Sequence, residues 1–160
     1  MEEVYDMAHE LDRLRGSVIS NFAFIESALD KLLAVEYASE EKTQRALFQH
    51  EVLEHRYFSF EFKKNLFQQI IKRKYPAEWG KFPKKDLEDM QTDRNIIAHA
   101  MLEIHNREGA TQKVTMCLKY QGICHEAHEL IQGYKAKSKR VQPFIEQYVA
   151  KITGVTYRRH

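Results

Sequence analysis

The residue types best suited to chemistry are concentrated in one stretch, Thr92-Asp93-Arg94-Asn95-Ile96-Ile97-Ala98-His99. An imidazole titrates close to neutral pH, so His99 can take up or release a proton in the physiological range. The guanidinium of Arg94 stays charged and presents a planar fork of donors that suits a phosphate or a developing phosphorane. Asn95 adds a carboxamide that can orient the imidazole or bond a phosphate oxygen. On a helix Asn95 and His99, four positions apart, share a face. Arg94 and His99 are five apart, roughly 140° around the axis. One helix brings both to a common point only through the length of arginine, or when a second copy supplies the complement. The plainer reading is an arginine paired elsewhere and a buried, satisfied histidine.

Metal chemistry is the next candidate, because the chain has 8 histidines and 2 cysteines. His50 and His55 are five apart, and His125 and His128 are three apart. A metalloprotease helix needs two histidines four apart to aim both at one ion. No glutamate stands three residues before a histidine, as a di-iron helical bundle requires. Cys124 beside His125 and His128 offers three ligands without an identifiable fourth, so neither a metal site nor a cofactor is expected. Glycine-rich dinucleotide loops, phosphate-binding loops and the hydrolase nucleophile elbow have no counterpart in the sequence.

The elements that must position these residues read as mainly helical. Val4, Met7, Leu11, Leu14, Val18, Phe22, Ile25, Leu29 and Leu32 recur at steps of three or four, which predicts one long first helix over the first 37 residues. Ser39 or Thr43 would cap a second helix reaching about His55. Ser59 would cap a third, FEFKKNLFQQIIKRKY, ended by Pro76 and the segment around Trp79 and Gly80. Pro83 suits the first turn of a fourth helix, which carries the Arg94–His99 stretch. MLEIH before Asn106–Gly109 and KVTMCLKY after it predict a β-hairpin insert at about 101–120. From about Gly122 the helical period returns, predicting a basic C-terminal helix over about 123–153 that Gly133 and Pro143 should weaken or kink. The expectation is a single helical domain over 1–160: a bundle of about five helices with a small hairpin after the fourth.

Composition supports that class. The chain of 160 residues is 43% hydrophobic and 30% charged, with only 6 Gly and 3 Pro, which argues against disorder and loop-rich β architecture. A domain of this size buries roughly 70% of the surface its unfolded chain exposes and needs no disulfide to fold. No apolar run approaches the roughly 18 residues of a membrane span. The start, MEEVYDMAHE, is acidic where a signal or transit peptide would be basic, so a cytoplasmic protein without a membrane partner is expected. The net charge of +2 hides an asymmetry, because residues 1–61 hold 13 acids and 6 bases while 62–160 hold 10 acids and 19 bases. The basic excess peaks over 132–160, where Lys135, Lys137, Lys139, Arg140, Lys151, Arg158 and Arg159 face Glu146 alone. Lys84, Lys85, Lys137, Lys139 and Arg140, taken as a group, are the candidate contacts to an anionic backbone such as RNA. Lys72, Lys74 and Lys81 belong to the same excess, and Trp79 or a tyrosine could stack on an unpaired base. A solvated basic face is the alternative.

RNIIAH, residues 94–99, resembles the signature of the HEPN superfamily, in which an arginine, four to six residues and a histidine follow one another, typically with alanine before the histidine. The context is similar too: NFAFIESALDKLLAVEYAS looks like the family's long first helix, and a serine-led helix commonly lies between it and the motif. The resemblance spans about residues 15–105 as a pattern, and only the signature is specific. It implies a helical bundle that pairs as a homodimer with two motifs facing across a two-fold axis. Many HEPN proteins are metal-independent endoribonucleases of toxin–antitoxin, abortive-infection and other anti-phage defence systems. On that resemblance Arg94 and His99 would be the catalytic pair, Asn95 their polar support, RNA the substrate, and an antitoxin or other defence-system protein the partner. A subgroup carries a tyrosine two residues after the histidine that a partner nucleotidyltransferase modifies; here that position is Met101, so this control is not implied. Two other readings keep the same residues: a non-catalytic HEPN module binding RNA, a nucleotide or a protein, and a helical oligomeric interaction protein with Arg94 and His99 buried as structural residues.

Overall fold

A computed structural model describes residues 2–38, 40–55, 58–107 and 113–153. The fold is mainly α with a long first helix and a small antiparallel sheet. Its helices are α1 (Glu2–Tyr37), α2 (Lys42–Leu47), α3 (Phe60–Lys74), α4 (Pro76–Trp79), α5 (Lys84–His99) and α6 (Ala127–Thr153). The strands β1 (Met101–Arg107), β2 (Lys113–Tyr120) and β3 (Ile123–Glu126) lie in the order β1-β2-β3. No helix among the described residues is long and apolar enough to cross a membrane.

The chain packs as two compact units. One comprises residues 1–22 and 84–140. Its core takes Leu11, Val18 and Phe22 from the α1 stripe, Leu87, Met90 and Ile97 from α5, Leu118 from β2, and Ile131 and Tyr134 from α6. In α1, α5 and α6 these positions recur at helical spacing, so one face of each helix is apolar and buried, while in β2 the adjacent Cys117 and Leu118, on opposite faces, are both buried. The other unit comprises residues 23–83 and 141–160. There Ile25, Leu29 and Leu33 of α1 are buried, as are Phe67, Ile70 and Ile71 of α3. Burial of side chains this size contributes about 1.5–3 kcal/mol each.

Local signals explain most boundaries. Ser59 is extended and its Oγ accepts from Phe62 N at 3.3 Å, so it caps α3 as expected. Phe58 packs edge-on against Phe62 with centroids 5.2 Å apart, fixing the entry of the chain. Pro76 cannot extend α3 and instead opens the short α4, where the sequence predicts only a terminating segment. The second helix differs from expectation. Thr43 lies inside α2, the cap position is Glu41 without a side-chain cap bond, and Ser39 falls outside the described residues. Beyond Leu47 the helix widens into a π-helical turn over Phe48–Leu53, with Glu54 N donating to Gln49 O at 2.9 Å.

The largest correction concerns residues 121–126. The expected hairpin exists, its β1–β2 register pairing Glu103 with Cys117 and His105 with Thr115, and its tip at 108–112 lies outside the described residues. A third strand then follows where helix was expected. Gln121 (φ 50°) and Gly122 (φ 81°) both take positive φ, the geometry of a two-residue turn that returns the chain at once to pair with β2. The last helix therefore begins at Ala127, and it continues through Gly133 and Pro143.

Candidate active site

Arg94, Asn95 and His99 all lie on α5, within the unit formed by residues 1–22 and 84–140. His99 is the last residue of the helix and is exposed. Arg94 is half-buried: its Nη1 donates to Asn95 Oδ1 at 3.0 Å, and its Cζ lies 5.4 Å from the ring centroid of Phe22. Such a cation over an aromatic face is favourable when partly desolvated. Its Nε is buried and has no hydrogen-bond partner among the described residues. Asn95 thus supports the arginine; no hydrogen bond joins it to His99 among the described residues.

The neighbouring Asp93 is buried, and Lys137 of α6 reaches it with Nζ 2.6 Å from Oδ2. Burial pushes the Asp93 carboxyl above its ordinary range, although the Lys137 hydrogen bond pulls the other way. Arg94 makes no ion pair with any carboxylate among the described residues. The end of α5 is fixed from α1: Arg15 Nε donates to Ile97 O at 2.8 Å and its Nη2 to Ala100 O at 2.7 Å. These carbonyls belong to the last turn, which a helix leaves without intrahelical donors. Sequence reasoning missed Arg15, because nothing local in α1 announces a partner more than eighty residues away. It also missed the pairing of Asp93 with Lys137.

No protein-family model, curated protein or solved structure matches this chain.

In the same unit, Asn21 Oδ1 accepts from Tyr134 Oη at 2.9 Å and from Ser138 Oγ at 2.8 Å. Burial holds the Tyr134 phenol far above its usual range, so it serves as a neutral donor. Asn21, Tyr134 and Ser138 line a cleft of about 350 Å³ with Lys135 and Lys139 at its edge. The basic group expected to track a phosphate backbone is mostly paired internally. Lys84 and Lys85 meet Glu88 and Asp89 at 3.8 and 3.1 Å, and Lys137 meets Asp93. Arg140 donates from Nε and Nη2 to the two oxygens of Asp86 at 2.6 and 2.8 Å. Of the five, Lys139 alone is exposed without an ion pair among the described residues. Elsewhere, Lys151 pairs with Glu78 at 2.9 Å, Trp79 stacks on Phe82, and Arg158 and Arg159 lie outside the described residues.

Cys124 does not combine with His125 and His128, despite their closeness in sequence. Successive residues of a strand point to opposite faces, so His125 is turned away from Cys124. The disulfide partner of Cys124 is Cys117 on β2, and His105 of β1 is the histidine beside it.

Proposed function

We propose that this protein is a metal-independent endoribonuclease of HEPN type, acting as a cytoplasmic homodimer whose two Arg94–His99 motifs face each other. The observation that carries this reading is the state of Arg94. Its guanidinium stands on the same helix as the exposed His99, and among the described residues its buried Nε has no hydrogen-bond partner and no carboxylate pairs with it, the neighbouring Asp93 being held by Lys137. A cation left without an opposing carboxylate, on the same helix as a solvent-facing imidazole, is suited to an anionic ligand. An interaction protein with a purely structural motif would instead hold His99 buried.

In this mechanism His99 removes the proton of a ribose 2′-hydroxyl. The oxygen attacks the adjacent phosphorus, and Arg94 neutralises the charge that builds on the phosphorane. The bond to the 5′-oxygen breaks and that oxygen takes a proton, leaving a 2′,3′-cyclic phosphate and a 5′-hydroxyl. Asn95 keeps the guanidinium in place through its Oδ1. The 140° between Arg94 and His99 around α5 favours a composite site in which each copy completes the other. The cleft at Asn21 and Tyr134, with Lys135 and Lys139, offers a place for flanking nucleotides. Such an enzyme would serve a toxin–antitoxin or anti-phage system, with an antitoxin holding it in check.

The test is cleavage of single-stranded RNA in EDTA by wild type, His99→Ala and Arg94→Ala, with the ends of the products identified. Wild type should cut and each variant should lose at least about a hundredfold, the range expected for a general base or a charge stabiliser. Cleavage unchanged in His99→Ala overturns the assignment. RNA bound by wild type without cleavage would leave the non-catalytic module as the better reading.

A further inference from the structure

The three-stranded sheet carries a second cluster that the α5 motif does not use. The register pairs Cys117 with Glu103 on one side and with Glu126 on the other, and pairs Lys119 with Cys124. Residues opposite one another, or two apart on a strand, share a face. Glu103, His105, Cys117 and Cys124 therefore stand together on one face, drawn from all three strands. Cys117 is 2% exposed and forms the floor, while Cys124 and His105 are open to solvent. The sulfur atoms and an imidazole nitrogen all lie within 4.8 Å of one another. His105 Nε2 is 3.8 Å from Cys124 Sγ and 3.6 Å from Glu103 Oε2. In a tetrahedral zinc site the bond lengths place nitrogen and sulfur about 3.5 Å apart, and nitrogen and oxygen about 3.4 Å apart. The other oxygen of Glu103 accepts from Lys119 Nζ at 2.9 Å, which aims the carboxylate and leaves Oε2 toward His105.

We propose that, when Cys117 and Cys124 are reduced, this face binds one Zn²⁺ through the two cysteine Sγ atoms and His105 Nε2, with the Glu103 carboxylate, which stands outside that trio but 3.6 Å from His105, turning in as the fourth ligand. Two thiolates and an imidazole form a soft set that selects zinc over magnesium or calcium. The charges balance as well, because two thiolates and one carboxylate meet the dication and the Lys119 ammonium. Binding releases the thiol protons to solvent. The disulfide and the metal are alternative states of the same two sulfurs. A small-molecule disulfide takes two electrons from the thiolate pair and is itself reduced to two thiolates; the Cys117–Cys124 bond forms and Zn²⁺ leaves to water. Neither local sequence nor cysteine spacing announces this site, since only the strand register joins residues 103, 105, 117 and 124.

Cobalt(II) is the probe. The full chain, reduced and freed of reductant without oxygen, should bind one equivalent with thiolate-to-cobalt absorption and the visible bands of a tetrahedral ion. Zinc should displace it, and the disulfide form should bind none. Cys124→Ser should abolish the absorption, with circular dichroism like wild type because this side chain is exposed. His105→Ala and Glu103→Gln should each weaken binding at least about tenfold, as loss of a ligand or its support does. Absence of the thiolate band in reduced wild type overturns the proposal, as does its persistence in Cys124→Ser. Unchanged affinity in His105→Ala or Glu103→Gln overturns this ligand set. The ribonuclease assay in EDTA is run on the disulfide form, so failure of either reading leaves the other standing.

Discussion

Lys137 Nζ lies 2.6 Å from Asp93 Oδ2, and this ion pair takes the carboxylate that stands next to Arg94 in sequence. Asp93 is 8% exposed, so its charge persists at neutral pH chiefly because the ammonium is there. Lys137→Met should destabilise the protein by about 2–3 kcal/mol, less than the ~3–5 kcal/mol of a fully enclosed pair because the lysine keeps some contact with water. Adding Asp93→Asn should recover part of that loss, since an amide has no charge to leave stranded. Urea unfolding of the two variants measures both. The pH dependence has a definite sign. Burial already raises the Asp93 carboxyl above its unfolded value of 3.8, so the folded state keeps that proton to higher pH than the unfolded chain. The group's contribution to stability therefore falls as pH rises through that interval. Lys137→Met should extend the fall upward in pH.

Arg15 holds the helix end that carries His99, so its replacement should loosen that end before it affects the rest of the fold. Arg15→Ala removes donors from Ile97 O and Ala100 O. With charge-assisted bonds of this kind worth ~1.5–3 kcal/mol, a loss of about 2 kcal/mol is expected. Arg15→Lys should restore little, because an ammonium cannot span two carbonyls as a planar fork does. Hydrogen exchange should quicken at the Ala100 amide, which donates to Ile96 O at 2.8 Å. His99-dependent cleavage should fall in the same variants.

Features written in short-range chemistry are legible in the amino-acid sequence. The α1 stripe, the Ser59 cap, the Pro76 stop and the hairpin strands each depend on residues within one or two turns of each other. RNIIAH is equally legible as a set of residue types. Its surroundings are not, because Arg15 and Lys137 reach α5 across separations of 82 and 44 residues. Charge counting misjudges the basic group for a related reason: a tally of lysines does not reveal that Arg140 is held by Asp86, or that Lys85 is held by Asp89. β3 escapes because its four residues, ICHE, are too few to establish a period, and Gln121 is an unusual residue for a positive-φ turn.

The pair Asp30 and Lys63 should dominate the acid side of stability in the unit built from residues 23–83 and 141–160. Lys63 Nζ lies 2.9 Å from Asp30 Oδ1 and 3.0 Å from Glu26 Oε1, so two carboxylates share one ammonium. Burial raises the Asp30 carboxyl above its unfolded value of 3.8, and the second carboxylate at Glu26 adds to the shift. Above that value the folded chain binds a proton that the unfolded chain has released, so stability declines as pH rises through the window. Asp30→Asn should flatten this decline while Glu26 continues to hold Lys63. Lys63→Ala should cost about 3–5 kcal/mol, because it strands a buried carboxylate. Unfolding free energies between about pH 4 and about pH 7, a range that spans ordinary carboxylate titration, compare the variants.

The turn between β2 and β3 should respond to substitution in the opposite direction from most sites. Gln121 has φ 50°, a region where an ordinary side chain costs roughly 1–2 kcal/mol and asparagine is tolerated far better. Gln121→Asn should therefore stabilise the protein by about 0.5–1 kcal/mol, and Gln121→Val should destabilise it by at least ~1 kcal/mol because a branched Cβ fits that region worst. Gly122→Ala should be destabilising although nothing lies within 4 Å of the added Cβ, since its φ of +81° is the obstacle. Gly16→Ala provides the contrast. It also meets no atom within 4 Å, but it lies in α1 with ordinary helical φ, so it should gain ~0.5–1 kcal/mol. Thermal unfolding of the four variants compares them directly. A stabilising Gly16→Ala beside a neutral Gly122→Ala would mean that residues 121–122 do not hold the positive-φ turn, and the β3 pairing that places Cys124 beside His105 would fail with it.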